Sequence, residues 1–295
     1  RAFASLGRRA EASLDAYGGS ELSALVWAFA HSKQELVGLD AVAQRCVAVP
    51  MAAGELANAL WGLASLNAKH VWPLCAARAL SWGRLDPSDL AKCLWALARN
   101  GETTAVKALA ATIGDVSGWP PAAVARVSVG LCTEADHALL LLRAAAHVLA
   151  RVSEYAPSEL VDVAWALSRT DARAFRPAVQ LCLENIDAGG LDCDSLARLF
   201  ETLGAVVEPT AEVVEKATDA AAALRTWRPA PLVSVAAVAY RLDADDALLA
   251  SLAGAATTLR EAREIAAMMA AVRRQGLDPR KEPTATTGKA HDFKS

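Results

Sequence analysis

The sequence predicts an all-α fold, a right-handed α-solenoid of stacked helix-turn-helix repeats of about 34–36 residues. Three observations predict it. A nine-residue string recurs along the chain, a helix-start signal recurs in register with that string, and aromatic residues, which favour strands, make up only 5% of the chain. One repeat cannot bury its own apolar face, so the continuous core of such a protein is built by the array.

The recurring string is clearest at residues 90–98, centred on Trp95, and close copies are centred on Trp27, Trp61 and Trp165. Weaker copies are centred on Val129, Glu201, Ala237 and Ala270. Successive centres lie 34, 34, 34, 36, 36, 36 and 33 residues apart. We call the helix predicted around each centre a signature helix, and the helix predicted between two of them an intervening helix.

A serine followed by an acidic residue opens three of the signature helices. The pairs are Ser20-Glu21, Ser88-Asp89 and Ser158-Glu159. The pattern predicts serine as the N-cap and an acid in the first turn, where it faces the positive end of the helix dipole.

Amphipathic segments between the strings predict the intervening helices. They span residues 34–48, 69–82, 103–115, 135–152, 174–186, 210–226 and 244–259. We therefore expect residues 1–19 to be the outer helix of an incomplete preceding repeat and residues 20–275 to be a solenoid of about eight repeats. Residues 276–295 are expected to be a polar, disordered tail.

Composition limits the environment of the chain. The six cysteines form no CxxC pair and lie in apolar helical patterns, so we expect buried, reduced thiols rather than a disulfide scaffold. No apolar run approaches the roughly 20 residues of a membrane span. Because the net charge is −3, any affinity for nucleic acid has to come from a local patch.

The helical period divides each signature helix into faces, numbered here with the Trp position as zero. Positions −5, −2, −1 and +2 form one apolar stripe, and positions −4, 0 and +3 form a second, with the Trp flanked by small residues. Two apolar stripes predict contacts on two sides. Trp27, Trp61, Trp95 and Trp165 are therefore expected to be internal wedges of the repeat core.

The third face, positions −3, +1 and +4, is predicted to be the functional surface. Position +1 is small in most repeats, so the side chains at −3 and +4 can project without obstruction. These sixteen sites hold seven Lys or Arg, against 30 in all 295 residues. These are Lys92, Arg99, Arg126, Arg169, Arg198, Arg241 and Arg274. Such a stripe fits a phosphate backbone.

A second interpretation explains part of this stripe without a ligand. Basic residues at +4 lie in the last turn of the helix, where the dipole favours them. That accounts for four of the seven, and it leaves Lys92, Arg126 and Arg198 as the set that the dipole does not explain.

Residues 85–98 closely resemble the hallmark half of the octotricopeptide repeat, a family of helix-pair arrays from organelles of algae and related protists, and residues 54–64 are similarly close. The resemblance implies an α-solenoid that binds RNA, either rRNA or an organellar transcript. It also implies a role in RNA processing, stability or translation, or a place in an organellar ribosome. The family's proline-rich opening of the other helix survives only faintly, at residues 70–73.

The same resemblance implies a mitochondrial matrix or chloroplast stroma location after removal of a presequence. Arg8 and Arg9 fit the remnant of such a presequence, and they fit an ordinary basic helix face equally well. The alternative function is a protein-binding scaffold subunit of a large organellar complex, with protein partners and no direct RNA readout.

Enzymatic function is not expected. The five histidines show no HExxH or other metal-ligand spacing, and Gly288-Lys289 lacks the upstream glycine of a phosphate-binding loop. We therefore predict no catalytic residues, metal, cofactor or small-molecule substrate.

Overall fold

The computed structural model describes residues 2–82, 85–132, 137–171, 174–206, 209–224 and 226–242, with isolated positions 248, 252 and 255. All regular structure in these ranges is helical, so the all-α fold class is confirmed. The chain divides into two units, Arg1–Asp187 and Ala188–Ser295. Apart from the three isolated positions, the predicted helix at 244–259, the string around Ala270, Arg274 and the tail at 276–295 lie outside the described residues.

Signature and intervening helices alternate along the described chain. The signature helices are α2 (Gly19–His31), α4 (Ala53–Ser65), α6 (Pro87–Arg99), α8 (Pro121–Leu131), α10 (Pro157–Asp171), α12 (Cys193–Ala205) and α14 (Pro229–Arg241). The intervening helices are α1 (Ala2–Ala12), α3 (Leu39–Ala48), α5 (Trp72–Ser81), α7 (Thr103–Ala110), α9 (Ala138–Arg151), α11 (Arg176–Asn185) and α13 (Ala211–Ala223). The repeated helix pair is thus present in each unit.

Successive signature helices pack against one another. In the first unit α2 packs on α4, α4 on α6, α6 on α8 and α8 on α10, and in the second unit α12 packs on α14. The predicted first apolar stripe is buried in these contacts: in α6, Leu90, Cys93, Leu94 and Leu97 are at most 6% exposed.

Position +1 is where neighbouring signature helices come closest. A Cβ added to Gly62 would lie 2.6 Å from Val26 Cγ1 and 3.1 Å from the Val26 carbonyl. A Cβ added to Gly130 would lie 3.2 Å from the Trp95 Cα. Gly62 and Gly130 therefore pack against the backbone of the preceding signature helix, so a small residue at +1 permits close helix packing.

The signature helices begin earlier than the serine pattern predicted. Helix α2 begins at Gly19, and the Glu21 carboxylate accepts from the Gly18 N–H at 3.1 Å. Helix α6 begins at Pro87, and its N-cap is Asp86 rather than Ser88. Proline suits the first helical position because its missing N–H is not needed there, and the acids do the capping that we assigned to serine.

Arginines link successive intervening helices in the first unit, a feature that the sequence did not predict. Arg78 of α5 donates to the carbonyls of Cys46, Val47 and Val49 at the end of α3, at 2.9, 3.1 and 2.7 Å. Arg143 of α9 donates in the same way to the carbonyl of Ile113, after α7, at 3.4 Å. Each guanidinium satisfies carbonyls that a helix end leaves without partners.

A buried histidine joins α9 to the segment that precedes α8. His147 Nδ1 lies 2.6 Å from the Tyr155 hydroxyl oxygen, and its Nε2 lies 3.1 Å from the Trp119 carbonyl oxygen. Nε2 also lies 3.1 Å from Arg151 Nη1. A carbonyl can only accept and a guanidinium can only donate, so these two contacts of Nε2 require opposite tautomers. Burial lowers the pKa of His147, and the nearby charge of Arg151 lowers it further.

The cysteine prediction is confirmed. All six cysteines are buried, and none of them is in a disulfide. Burial raises the pKa of Cys46, Cys75, Cys93 and Cys182 to about 12, so these thiols stay protonated at neutral pH.

We predict that Gly62→Ala lowers the free energy of unfolding by about 1–3 kcal/mol, because the new methyl group overlaps Val26 of the neighbouring helix, and that Gly130→Ala, with its closest contact at 3.2 Å, lowers it less. Alanine is otherwise favoured over glycine in a helix by about 1 kcal/mol. Gly7 of α1 is the matched control, since a Cβ there would lie no closer than 3.5 Å to any neighbour. Denaturant unfolding should show Gly7→Ala to be neutral or stabilising; destabilisation of all three variants alike would contradict this packing.

We also predict that stability falls as the pH drops below about 6.5, the usual pKa of histidine. The folded chain favours neutral His147, so its contribution is complete above that pH and is lost as the pH falls toward the lowered pKa of the folded state. Denaturant unfolding between pH 7.5 and 5 should show a smaller loss for His147→Gln than for the unchanged chain. An equal loss in both proteins would assign the pH dependence to other groups.

Candidate functional site

The solvent-facing surface of the signature helices in the first unit carries their tryptophans. Trp27 is 44% exposed, and Trp61, Trp95 and Trp165 are half-buried. The prediction that these four indoles are internal wedges was therefore wrong for Trp27 and incomplete for the other three. We call the surface formed by the four tryptophans and the residues at +4 of their helices the indole ridge.

Helical geometry explains why the tryptophans belong to this surface. Positions −3, 0 and +4 lie within about 60° of one another around the helix axis. Positions −4 and +1, on either side, are buried, as with Ala57 and Gly62 of α4 and Ala91 and Ala96 of α6. The exposed strip is therefore narrow, and the indole lies along it with one edge against the core.

In three of these four helices, the residue at +4 packs on the tryptophan of its own helix. The His31 ring stacks on Trp27 with 4.8 Å between centroids and 7° between planes. The guanidinium carbon of Arg99 lies 5.5 Å from the Trp95 ring centre, and that of Arg169 lies 5.0 Å from the Trp165 ring centre. Side chains four residues apart meet on a helix, so the repeat itself generates each pair.

The ridge is continuous between α4 and α6. The rings of Trp61 and Trp95 are 6.4 Å apart and inclined by 35°. Arg99 also donates to the Asn67 side-chain carbonyl oxygen at 3.3 Å, across from the end of α4. Asn67 has a φ of 58°, a left-handed conformation that asparagine tolerates better than most residues. Two indoles and one guanidinium thus form a single surface.

The basic residues at −3 are placed differently from those at +4. Lys92 pairs with Asp89 of its own helix at 2.9 Å. Arg126 is half-buried, which lowers its pKa, and the charges of Asp162 and Glu159 offset part of that effect. Acids near both side chains reduce their positive field, whereas Arg99 and Arg169 at +4 are exposed. Lys92 and Arg126, which the helix dipole does not explain, thus each have acidic side chains nearby that favour a cation there.

The second unit lacks tryptophan at position 0 of its two described signature helices. Glu201 takes that place in α12 and accepts from the Ser234 hydroxyl of α14 at 2.8 Å. Arg198 is half-buried and Arg241 is exposed. Arg274 lies outside the described residues.

Neither a metal centre nor a membrane-spanning helix is present in the described part of the chain. No group of three or more His, Cys, Asp or Glu side chains there is arranged to hold a metal ion. Among the same residues, no helix has both the length and the apolar character needed to cross a membrane.

Comparison of the chain with models of known protein families and with curated proteins found no match.

We predict that Trp27→Ala lowers the free energy of unfolding by about 1 kcal/mol, as is typical of a partly exposed side chain. Phe29, two residues along α2, is fully buried and provides the comparison. Phe29→Ala should cost about 3–5 kcal/mol, because it leaves a core cavity. Equal losses in denaturant unfolding would restore the interpretation of Trp27 as a core wedge.

Proposed function

We propose that this chain is a non-catalytic RNA-binding protein with the architecture of a right-handed α-solenoid, and that the indole ridge is its RNA-binding surface. The observation that carries the proposal is the set of partly exposed indoles on α2, α4, α6 and α10, two of them in contact with an arginine. The recurrence of the surface with the repeat fits a polymer, whose units also repeat.

The chemistry of the ridge matches that of single-stranded RNA. Unpaired bases stack on aromatic side chains and on guanidinium planes, while arginine also pairs with phosphate. Trp61 and Trp95 offer adjoining indole surfaces, and Arg99 lies beside them with its charge exposed. A duplex keeps its bases stacked on each other, so the ridge favours single strands.

Local charge supports the proposal despite the net charge of −3. Arg99 and Arg169 both lie on the ridge, and Lys92 adds a third cation whose charge Asp89 partly offsets. Affinity for RNA then depends on these few groups and should be modest and sensitive to salt.

The resemblance of residues 85–98 to the octotricopeptide repeat supports the biological setting that we propose. In that setting the chain acts in the matrix of a mitochondrion or the stroma of a chloroplast, on rRNA or on an organellar transcript, in processing, stability or translation.

A second candidate function, a scaffold subunit that binds protein, is favoured by a different surface. Leu139, Leu142 and Leu149 of α9 are 61%, 56% and 51% exposed, at spacings that place them on one side of the helix. Exposed leucines in such a row are typical of protein contacts. A subunit of an organellar ribosome would use both surfaces.

The RNA proposal is tested with the double variant Arg99→Glu, Arg169→Glu. We expect its affinity for a fluorescein-labelled 20-nucleotide single-stranded RNA, measured by fluorescence anisotropy, to fall by about tenfold or more. The slope of log affinity against log salt should lose about 1.4, which is about 0.7 for each of two phosphate contacts.

The matched control is Arg8→Glu, Arg176→Glu, which makes the same change in charge at exposed positions of α1 and α11. This control should keep at least half of the affinity. The RNA proposal fails if both double variants lose the same affinity, or if the unchanged chain binds no RNA at 50 mM salt. In that case, co-purification of a protein that binds to α9 at a stoichiometric ratio would favour the scaffold function.

A further inference from the structure

At the opposite end of α6 from Arg99, a cavity of about 790 Å³ opens between the start of that helix and the end of α7. Its position is independent of the indole ridge. Pro87, at the cavity, and Trp95, on the ridge, are eight residues apart, or about 12 Å along the helix axis. The cavity volume falls within the roughly 300–1,000 Å³ of sites that hold ligands.

The floor of the cavity is apolar and its walls are aromatic. Leu90, Leu109 and Ile113, all at most 7% exposed, are floor residues. The indoles of Trp82 and Trp119, which precede α6 and α8, also line it. These two tryptophans lie outside the recurring string, and the functions considered so far assign them no role.

Two carboxylates give the cavity a negative rim. Asp86 lines it at the start of α6, and Asp115 lines it in the segment after α7. The N–H of Asp89 holds the pKa of Asp86 below its usual value, and the Ser117 hydroxyl does the same for Asp115. Both side chains are therefore anions at neutral pH.

The anions are held in place by the backbone. Asp86 Oδ1 accepts from the N–H groups of Ser88 and Asp89 at 2.9 and 3.0 Å. Asp115 Oδ1 accepts from the Ser117 N–H at 3.0 Å. The rim is thus largely preorganised, which reduces the entropy lost when a cation binds.

We propose that this cavity binds an arginine side chain of a partner protein, presented in a short peptide segment with an apolar neighbour. The commitment to arginine follows from the shape and charge of the lining. A guanidinium pairs with carboxylates and stacks on indoles, and its methylene stem covers apolar surface. Because the volume exceeds that of one side chain, the leucines and isoleucine of the floor take the apolar neighbour.

Arginine fits the cavity better than lysine does. A lysine ammonium is a compact point charge that is strongly hydrated, whereas the flat guanidinium matches the faces of Trp82 and Trp119. Arg143, which donates to the carbonyls of Ile113 and Gly114, stands near Asp115 and supports that loop. The charge of Arg143 offsets part of that of Asp115, as Lys92 does for Asp86, so the expected affinity is modest.

The test uses the whole chain and three synthetic peptides: acetyl-Leu-Arg-Leu-Ala-amide and its counterparts with lysine or citrulline in place of arginine. Citrulline has nearly the shape of arginine without its charge. Isothermal titration calorimetry at 50 mM salt should show binding of the arginine peptide, about threefold weaker binding with lysine and at least tenfold weaker binding with citrulline.

Protein variants locate the site. Asp86→Asn with Asp115→Asn removes both charges but keeps an oxygen that can accept the same backbone N–H bonds, so the melting temperature should hold. This double variant should bind the arginine peptide about tenfold more weakly than the unchanged chain does. Asp219→Asn, exposed on α13, is the single-charge control and should change nothing.

Further results would confirm or overturn the assignment. Fluorine NMR of the chain labelled with 5-fluorotryptophan should show shifts at Trp82 and Trp119 and none at Trp61. The Arg99→Glu, Arg169→Glu variant should keep full peptide affinity, which separates this site from the RNA proposal. Equal binding of the arginine and citrulline peptides, no saturable binding up to millimolar peptide, or an equal loss in Asp219→Asn would overturn the inference.

Discussion

The close approach of successive signature helices is the constraint on which the rest of the first unit depends. Gly62 meets the backbone of α2 at Val26, and Gly130 meets the backbone of α6 at Trp95. Position +1 has room for little more than a hydrogen or a methyl group. The large side chain at position 0 therefore lies at the edge of the contact between the two helices. The tryptophan therefore lies at the surface, and the i, i+4 relation brings His31, Arg99 or Arg169 onto it.

The parts of the fold that depend on one helix at a time were predictable from the sequence. The alternation of signature and intervening helices follows from the spacing of the strings, and the buried stripe that contains Leu90 and Leu94 follows from the helical period. The placement of Trp61 was not predictable in this way. A small neighbour such as Gly62 is compatible with an open face and with close packing, and only the position of the adjacent helix distinguishes them.

The basic residues illustrate the same limit. The sequence placed Lys92 and Arg99 on one surface, and the structure agrees. The acids near Arg126 could not be assigned from the sequence, because Asp162 and Glu159 belong to the next repeat. The helix dipole explains a cation at +4 without a ligand, yet the dipole does not hold Arg99 over an indole. The contact of Arg99 with Trp95 is therefore the feature of this residue that the dipole leaves unexplained.

The arginine links between intervening helices and the cavity could not be predicted from the sequence either, and the reason is physical. Arg78 donates to carbonyls about 30 residues away. The identity of a side chain does not indicate which backbone carbonyl accepts its hydrogen bond. Trp82 and Trp119 lie between helices, outside the recurring strings from which the signature helices were predicted. Their meeting with Asp86 and Asp115 depends on how two repeats stack.

The most direct test of the central claim is the solvent accessibility of individual tryptophans. Hydroxyl-radical footprinting with mass spectrometry measures the oxidation rate of each indole in the folded chain. Trp72 is 6% exposed and donates to the Ala68 carbonyl, so it serves as the buried internal standard. The account predicts that Trp27 oxidises fastest and that Trp61, Trp95 and Trp165 all oxidise faster than Trp72. Protection of those three equal to that of Trp72 would contradict the indole ridge.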